Sequence, residues 1–362
     1  MSNLILVLLS VVVVQAHGFT SRALLELQHA SARSTPSTIL LGDLATANAN
    51  LTSTGSDISS ILTGAVSAIA DPTPDYHPPG TQDSSSCAAD TCCIWHYLTT
   101  SLHAAFLVPD DSGGGGGGGE TAGCNSLARG AIRLGFHDAA TWNISLPTGG
   151  ADGSIVLNPA EAARLDNRGL EDIIAQTAAW YAQWKGYGVG MADLIQLSAI
   201  TAVASCPGGG PRIKAFVGRQ DSAVLPPEGL IPSPHADAEV NIKLFEAKTF
   251  SAADLVALLG AHTVSRQFFV DPTRAGDAQD TTDGVWDTTY YGVTASPVTP
   301  PGVFKFSSDV SLAHYPGTNG TWQSFEKSLE LWNAAFASAY FRMSLLGVNN
   351  LNQLTDCSRA LP

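Results

Sequence analysis

Arg133-Leu134-Gly135-Phe136-His137-Asp138 lies in a stretch, residues 126–138, whose apolar positions recur at helical spacing. Residues four apart on a helix share a face, so Arg133 and His137 project together. Asp138 lies about 100° further round and points elsewhere. A cation beside a neutral imidazole suits the cleavage of a peroxide. The imidazole takes a proton from one oxygen and returns it to the other, while the guanidinium stabilises the negative charge that develops as the O–O bond breaks. An isolated Arg-x-x-x-His is more often a surface arginine with a core histidine, so the neighbouring sequence decides.

Gly149-Gly150-Ala151-Asp152-Gly153-Ser154 follows shortly after. Asp138, Asp152 and Ser154 offer hard oxygen donors and Gly150 a backbone carbonyl, a set that suits calcium; the alternative is a glycine-rich turn with solvated aspartates. Together, Arg-x-x-Phe-His-Asp and Gly-Gly-Ala-Asp-Gly-Ser resemble the plant and fungal haem peroxidase superfamily, most closely its secreted fungal class II branch. The resemblance runs from about Cys87 to Pro362, and Phe136 stands where the intracellular branch usually has Trp. It implies a mainly α fold of about ten helices in distal and proximal halves that sandwich haem b.

Further motifs extend it. Ser251-Ala252-Ala253-Asp254 reads as a capped helix start. Leu255, Leu258, Leu259 and His262 then fall on one stripe. A lone His there is usually a core residue, but Leu259-Gly260-Ala261-His262-Thr263 resembles the family's proximal motif, which makes His262 the axial iron ligand. The resemblance makes Asp309 the acceptor of its N–H, a partner that renders the imidazole more basic. Asp280-Thr281-Thr282-Asp283-Gly284-Val285-Trp286-Asp287 resembles a second calcium loop, with Thr263, Asp280, Thr282, the Val285 carbonyl and Asp287 as ligands. Asn167 is similar to the residue whose amide oxygen fixes the distal His tautomer, with Glu161 orienting it in turn. Pro232 either borders the aromatic-substrate site, as its family counterpart does, or belongs to an ordinary proline loop.

The resemblance also pairs Cys124 with Cys206, Cys92 with Cys357 and Cys87 with Cys93. Class II members typically carry eight cysteines; this chain has six. The acids that bind Mn²⁺ in manganese-oxidising members are replaced by Ser126, Gly130 and Phe268. The exposed Trp of lignin-oxidising members is replaced by Ala257. These departures leave small phenols and dyes, oxidised by H2O2 at the haem edge, as the expected reductants. A degenerate haem- or calcium-binding relative and a manganese peroxidase with a relocated site are the alternatives.

The remaining sequence fits a secreted single-chain protein. Helical spacing also predicts helices over residues 170–184, 191–204, 251–264 and 325–346, and long strand patterns are absent. Residues 1–16 read as a signal peptide and residues 17–86, rich in Ser, Thr and Ala, as an extension or linker; the peroxidase domain is expected over residues 87–362. The seven glycines 113–119 read as a surface loop. Trp180, Tyr181, Trp184 and Tyr187 are crowded together, as helix packing or an electron relay. The sequons at Asn50, Asn143 and Asn319 permit glycosylation. Eighteen Lys and Arg against thirty-two Asp and Glu give a net charge of −14, which argues against nucleic acid and anionic membrane as partners. A monomer is expected.

Overall fold

Met191–Ser205 is apolar on every side, with Leu194, Ile195, Leu197, Ile200 and Val203 interspersed with Ala192, Ala199 and Ala202. Such a helix must be enclosed by others. In the computed structural model, which describes residues 38–46, 50–72, 75–108 and 123–362, it is the central helix. The helices of seven or more residues are α1 (Ser53–Leu62), α2 (Thr91–Phe106), α3 (Ser126–Ala139), α4 (Glu171–Trp184), α5 (Met191–Ser205), α6 (Ala238–Glu246), α7 (Ala252–Leu259), α8 (Thr289–Ala295), α9 (Ser307–His314), α10 (Asn319–Glu326) and α11 (Leu329–Met343). Among the described residues, the only sheet pairs Phe216–Val217 with Thr355–Asp356, antiparallel. The fold is mainly α, as the sequence predicts.

Helices α2, α3 and α4 pack on α5 and form one half; α6 to α11 form the other, with α7 against α11. Gly135 is where α3 passes closest to its neighbours. A Cβ there would lie 2.7 Å from that of Ala199 and 2.2 Å from the Tyr340 hydroxyl. Gly260 does the same for α7, since a Cβ would fall 2.3 Å from Trp332 Nε1. Asp221 reaches across to cap α5, accepting from Met191 N at 2.8 Å and Ala192 N at 2.9 Å. A buried pair, Arg219 to Asp193 at 2.8 Å, ties the following loop to α5, and Arg219 Nε donates to the Ser344 carbonyl beyond α11.

Three expectations need correction. Of the expected linker, the described residues 38–46, 50–72 and 75–86 are part of the folded body. Leu41, Leu44, Ile58 and Ile61 are buried in the core. Arg342 on α11 donates to the carbonyls of Ile39 (3.0 Å) and Leu62 (3.1 Å). The helix expected over 325–346 is two, because Ser328 starts a new one by accepting from Leu331 N. The helix expected over 251–264 is α-helical only to Leu259; Gly260–Val264 tightens into a 3₁₀ turn that carries His262. The capping box forms as predicted, between Ser251 and Asp254. Residues 1–16 and 113–119 lie outside the described residues.

The six cysteines pair as Cys87–Cys93, Cys92–Cys357 and Cys124–Cys206. The last joins the start of α3 to the end of α5, the two helices that set the distal residues. Trp180 and Trp184 are buried packing residues of α4. No single helix among the described residues is long and apolar enough to cross a membrane.

Candidate active site

Helix α3 places Arg133 and His137 one turn apart, as the spacing requires. Arg133 Nε donates to His137 Nε2 at 3.2 Å, and His137 Nδ1 meets Asn167 Oδ1 at 2.8 Å. An amide oxygen only accepts, so Nδ1 carries the proton and Nε2 keeps its lone pair. His137 is buried; burial first, and the Arg133 charge second, push its pKa down to about 3. The imidazole is therefore neutral above that value. Burial also lowers Arg133, to about 10, which leaves it charged. Asn167 is itself held: its Nδ2 donates to the Glu161 backbone carbonyl at 2.8 Å. Glu161 thus meets Asn167 through its backbone, while its two side-chain oxygens are buried without a hydrogen-bond partner. Phe136 points off the helix toward the other half and stacks on Phe245 of α6, with centroids 6.4 Å apart.

His262 sits in the 3₁₀ turn just past α7 and has a different partner. Its Nδ1 meets Asp309 Oδ2 at 2.8 Å, which leaves Nε2 free to bind a metal. The imidazole is 32% exposed although Thr263 and Val264 beside it are buried. Leu258, Leu259, Ala261 and Phe306 around it are also only partly covered. In the first half Phe136 is partly covered in the same way, and Arg133 is exposed. Tyr290, which the sequence reading passed over, donates to the same Asp309 oxygen at 2.8 Å.

Two groups of oxygens lie behind the histidines. Behind His137, Asp138 Oδ1 and Ser154 Oγ are buried and without partners, while Asp138 Oδ2 accepts from Gly153 N at 3.2 Å. Asp152 accepts from Ser154 N at 3.0 Å, and the Gly150 carbonyl from Asp152 N at 2.8 Å. Burial raises the pKa values of Asp138, Asp152 and Glu161, the last to about 7. Beside His262, the Thr263 hydroxyl lies 2.7 Å from Asp280 Oδ2 and 3.4 Å from both the Val285 carbonyl and Asp287 Oδ1. Thr282 N donates to Asp280 Oδ1 at 2.8 Å, and burial raises Asp280 to about 7. One hydroxyl proton cannot satisfy all three acceptors at once, and behind His137 two buried oxygens have no partner at all. Both groups mix carboxylates with hydroxyls and carbonyls. Among the described residues no three His, Cys, Asp or Glu side chains form a metal cluster.

A family model described as "Peroxidase" matches residues 120–328. The chain belongs to the peroxidase family. Among curated proteins it is 32% identical to manganese peroxidase 2 of Phlebia radiata over 266 residues, 66% of this chain and 67% of that protein. It is 32% identical to ligninase LG6 of Phanerodontia chrysosporium (67% and 70% covered) and 33% identical to a peroxidase of Arthromyces ramosus (66% and 70%). These relatives make it a haem peroxidase, an oxidoreductase of the fungal class II kind. The donor set fits haem: a histidine with a free Nε2, backed by a carboxylate, among apolar side chains that call for a cover.

The residues that separate substrates within the family also find their places. Gly130 packs against Ile173, and Ala257 is fully buried with its carbonyl accepting from Trp332 Nε1 at 2.9 Å. Phe268 and Phe269 are 49% and 43% exposed, and the Arg168 guanidinium lies 4.7 Å over the Phe269 ring. Gly169 brings that ring up to Arg133, for a Cβ at Gly169 would fall 2.6 Å from Phe269 and 3.2 Å from Arg133 Nη1. Pro232 is half-buried in a loop anchored to both halves. Arg164 donates to the Pro226 and Pro227 carbonyls at one end, and Ser308 N to Pro234 O, at 3.1 Å, at the other.

Proposed function

We propose that this peroxidase reduces H2O2 with Arg133, His137 and Asn167 and oxidises small phenolic or dye-like donors, one electron at a time, at the haem edge. The observation that carries the reading is His137 held between Asn167 at Nδ1 and Arg133 at Nε2, so that Nε2 is unprotonated and can accept a proton. His137 takes the proton from one peroxide oxygen and passes it to the other, which leaves as water. The Arg133 guanidinium stabilises the negative charge on the departing oxygen. Asn167 holds the tautomer that makes this transfer work in the right direction. Haem b, held at His262 Nε2, supplies the metal where the O–O bond breaks and stores the two oxidising equivalents. Asp309 accepts the His262 N–H and makes that ligand more basic.

Two calcium ions complete the reading. The distal one takes Asp138, the Gly150 carbonyl, Asp152 and Ser154; the proximal one takes Thr263, Asp280, Thr282, the Val285 carbonyl and Asp287. The support is the surplus of buried oxygens at both places. The three disulfides fit a secreted protein acting as a monomer outside the cell, with its signal peptide at residues 1–16.

The exposed Phe269 ring beside Arg133 favours aromatic donors over Mn²⁺, since Ser126, Gly130 and Phe268 provide no carboxylate. Pro232 sits on the loop that would border such a donor. Steady-state turnover of a phenolic dye, with and without Mn²⁺, tests this. Saturable dye oxidation that ignores Mn²⁺ is expected. Saturable Mn²⁺ oxidation would establish a relocated manganese site, and no turnover of either would establish a degenerate binder.

A further inference from the structure

The carboxylate behind His262 is shared. Asp309 is buried, and its Oδ2 accepts from two donors at 2.8 Å each, His262 Nδ1 and the Tyr290 hydroxyl. Oδ1 accepts from Ser308 Oγ at 3.1 Å. Tyr290 cannot swing away. Its ring is fully buried, set edge-on to the His262 imidazole at 5.7 Å and 89°, and backed by Tyr291 at 5.4 Å and Trp322 at 5.5 Å. The sequence reading gave this residue no role.

We propose that Tyr290 is a positioning residue that tunes the iron ligand through Asp309. A carboxylate oxygen divides its negative charge among the donors it accepts. With the phenol on Oδ2, less of that charge is left to draw the proton from His262 Nδ1. The imidazole then has less imidazolate character and gives less electron density to the metal. The ferric state is therefore less favoured over the ferrous, and the reduction potential is higher than the His262–Asp309 pair alone would set. Tyr290 thereby raises the oxidising strength of the site without touching substrate or peroxide. This inference rests on His262 being the iron ligand.

The test is Tyr290→Phe in the full-length, haem-loaded protein, read by spectroelectrochemistry and by the iron–imidazole stretching band of the ferrous form. The substitution removes one oxygen and keeps the ring. The Fe(III)/Fe(II) potential should shift to a lower value and the stretching band to a higher frequency. Tyr291→Phe is the control. It loses the same atom from the adjacent buried ring, whose hydroxyl donates to the Val256 carbonyl at 2.9 Å rather than to Asp309, and neither quantity should move. Unchanged values in Tyr290→Phe, shifts of the opposite sign, or equal shifts in both variants would overturn the tuning role. A parent protein with no iron–imidazole band would overturn the ligand assignment and the tuning role together, so the two failures are distinguishable.

Discussion

The two halves of the site each hold an imidazole by its Nδ1, and they differ in what holds it. His137 leans on the neutral amide of Asn167, beside the positive Arg133, and its pKa is pushed down to about 3. His262 leans on the carboxylate of Asp309. An amide fixes a tautomer without lending charge, which leaves at Nε2 an unprotonated weak base that suits brief proton transfer. A carboxylate lends charge, which makes Nε2 a stronger metal ligand. One side chain, placed twice with different partners, is thus suited to two kinds of chemistry.

Breaking the distal arrangement should have the largest effect. His137→Ala removes the proton carrier, and the rate of peroxide cleavage, followed by stopped-flow absorbance, should fall about 10²–10⁴-fold. Asp309→Asn gives the proximal histidine the kind of partner that the distal one has. Peroxide cleavage should slow about 10–100-fold, and the reduction potential should rise. A D309N protein with the parent's rate and potential would show that the difference between the partners carries no function.

The distal half was legible because its decisive pair is four residues apart on one helix, and helix geometry alone puts Arg133 beside His137. The Asp309 and Asn167 contacts join residues 47 and 30 positions apart, which no local rule brings together; family resemblance pointed to them. Glu161 was half-legible. It lies beside Asn167 as expected, but the contact runs through its backbone, and a sequence does not say which atom of a residue is used. Tyr290 was missed because an aromatic residue after a loop reads as core packing, and only the fold brings its hydroxyl onto Asp309. The stretch before Cys87 reads as a linker because Ser, Thr and Ala dominate its composition, while its buried anchors are few, chiefly the pairs Leu41 and Leu44 and Ile58 and Ile61.

The smallest expected effect concerns what the halves share, a surplus of buried oxygens behind each histidine. Removing divalent cations with a chelator should leave Asp138, Ser154 and Asp280 without compensation and lower the Tm by about 5–10 °C. Differential scanning calorimetry with calcium restored afterwards checks it. A Tm that ignores chelator and calcium alike would show that both oxygen groups are satisfied without a cation.

The difference between the two imidazoles is tested most directly by the pH dependence of the peroxide-cleavage rate in the parent and in Asn167→Asp. A histidine whose pKa is depressed stays neutral from high pH down to that value, so the base is lost only as pH falls through it. The parent rate should stay level through the acid range and drop, with one proton, only near pH 3. Asn167→Asp gives His137 the proximal kind of partner and should move that drop up by about 1–3 pH units. Two profiles that coincide, both falling near the ordinary imidazole value of about 6.5, would contradict the account.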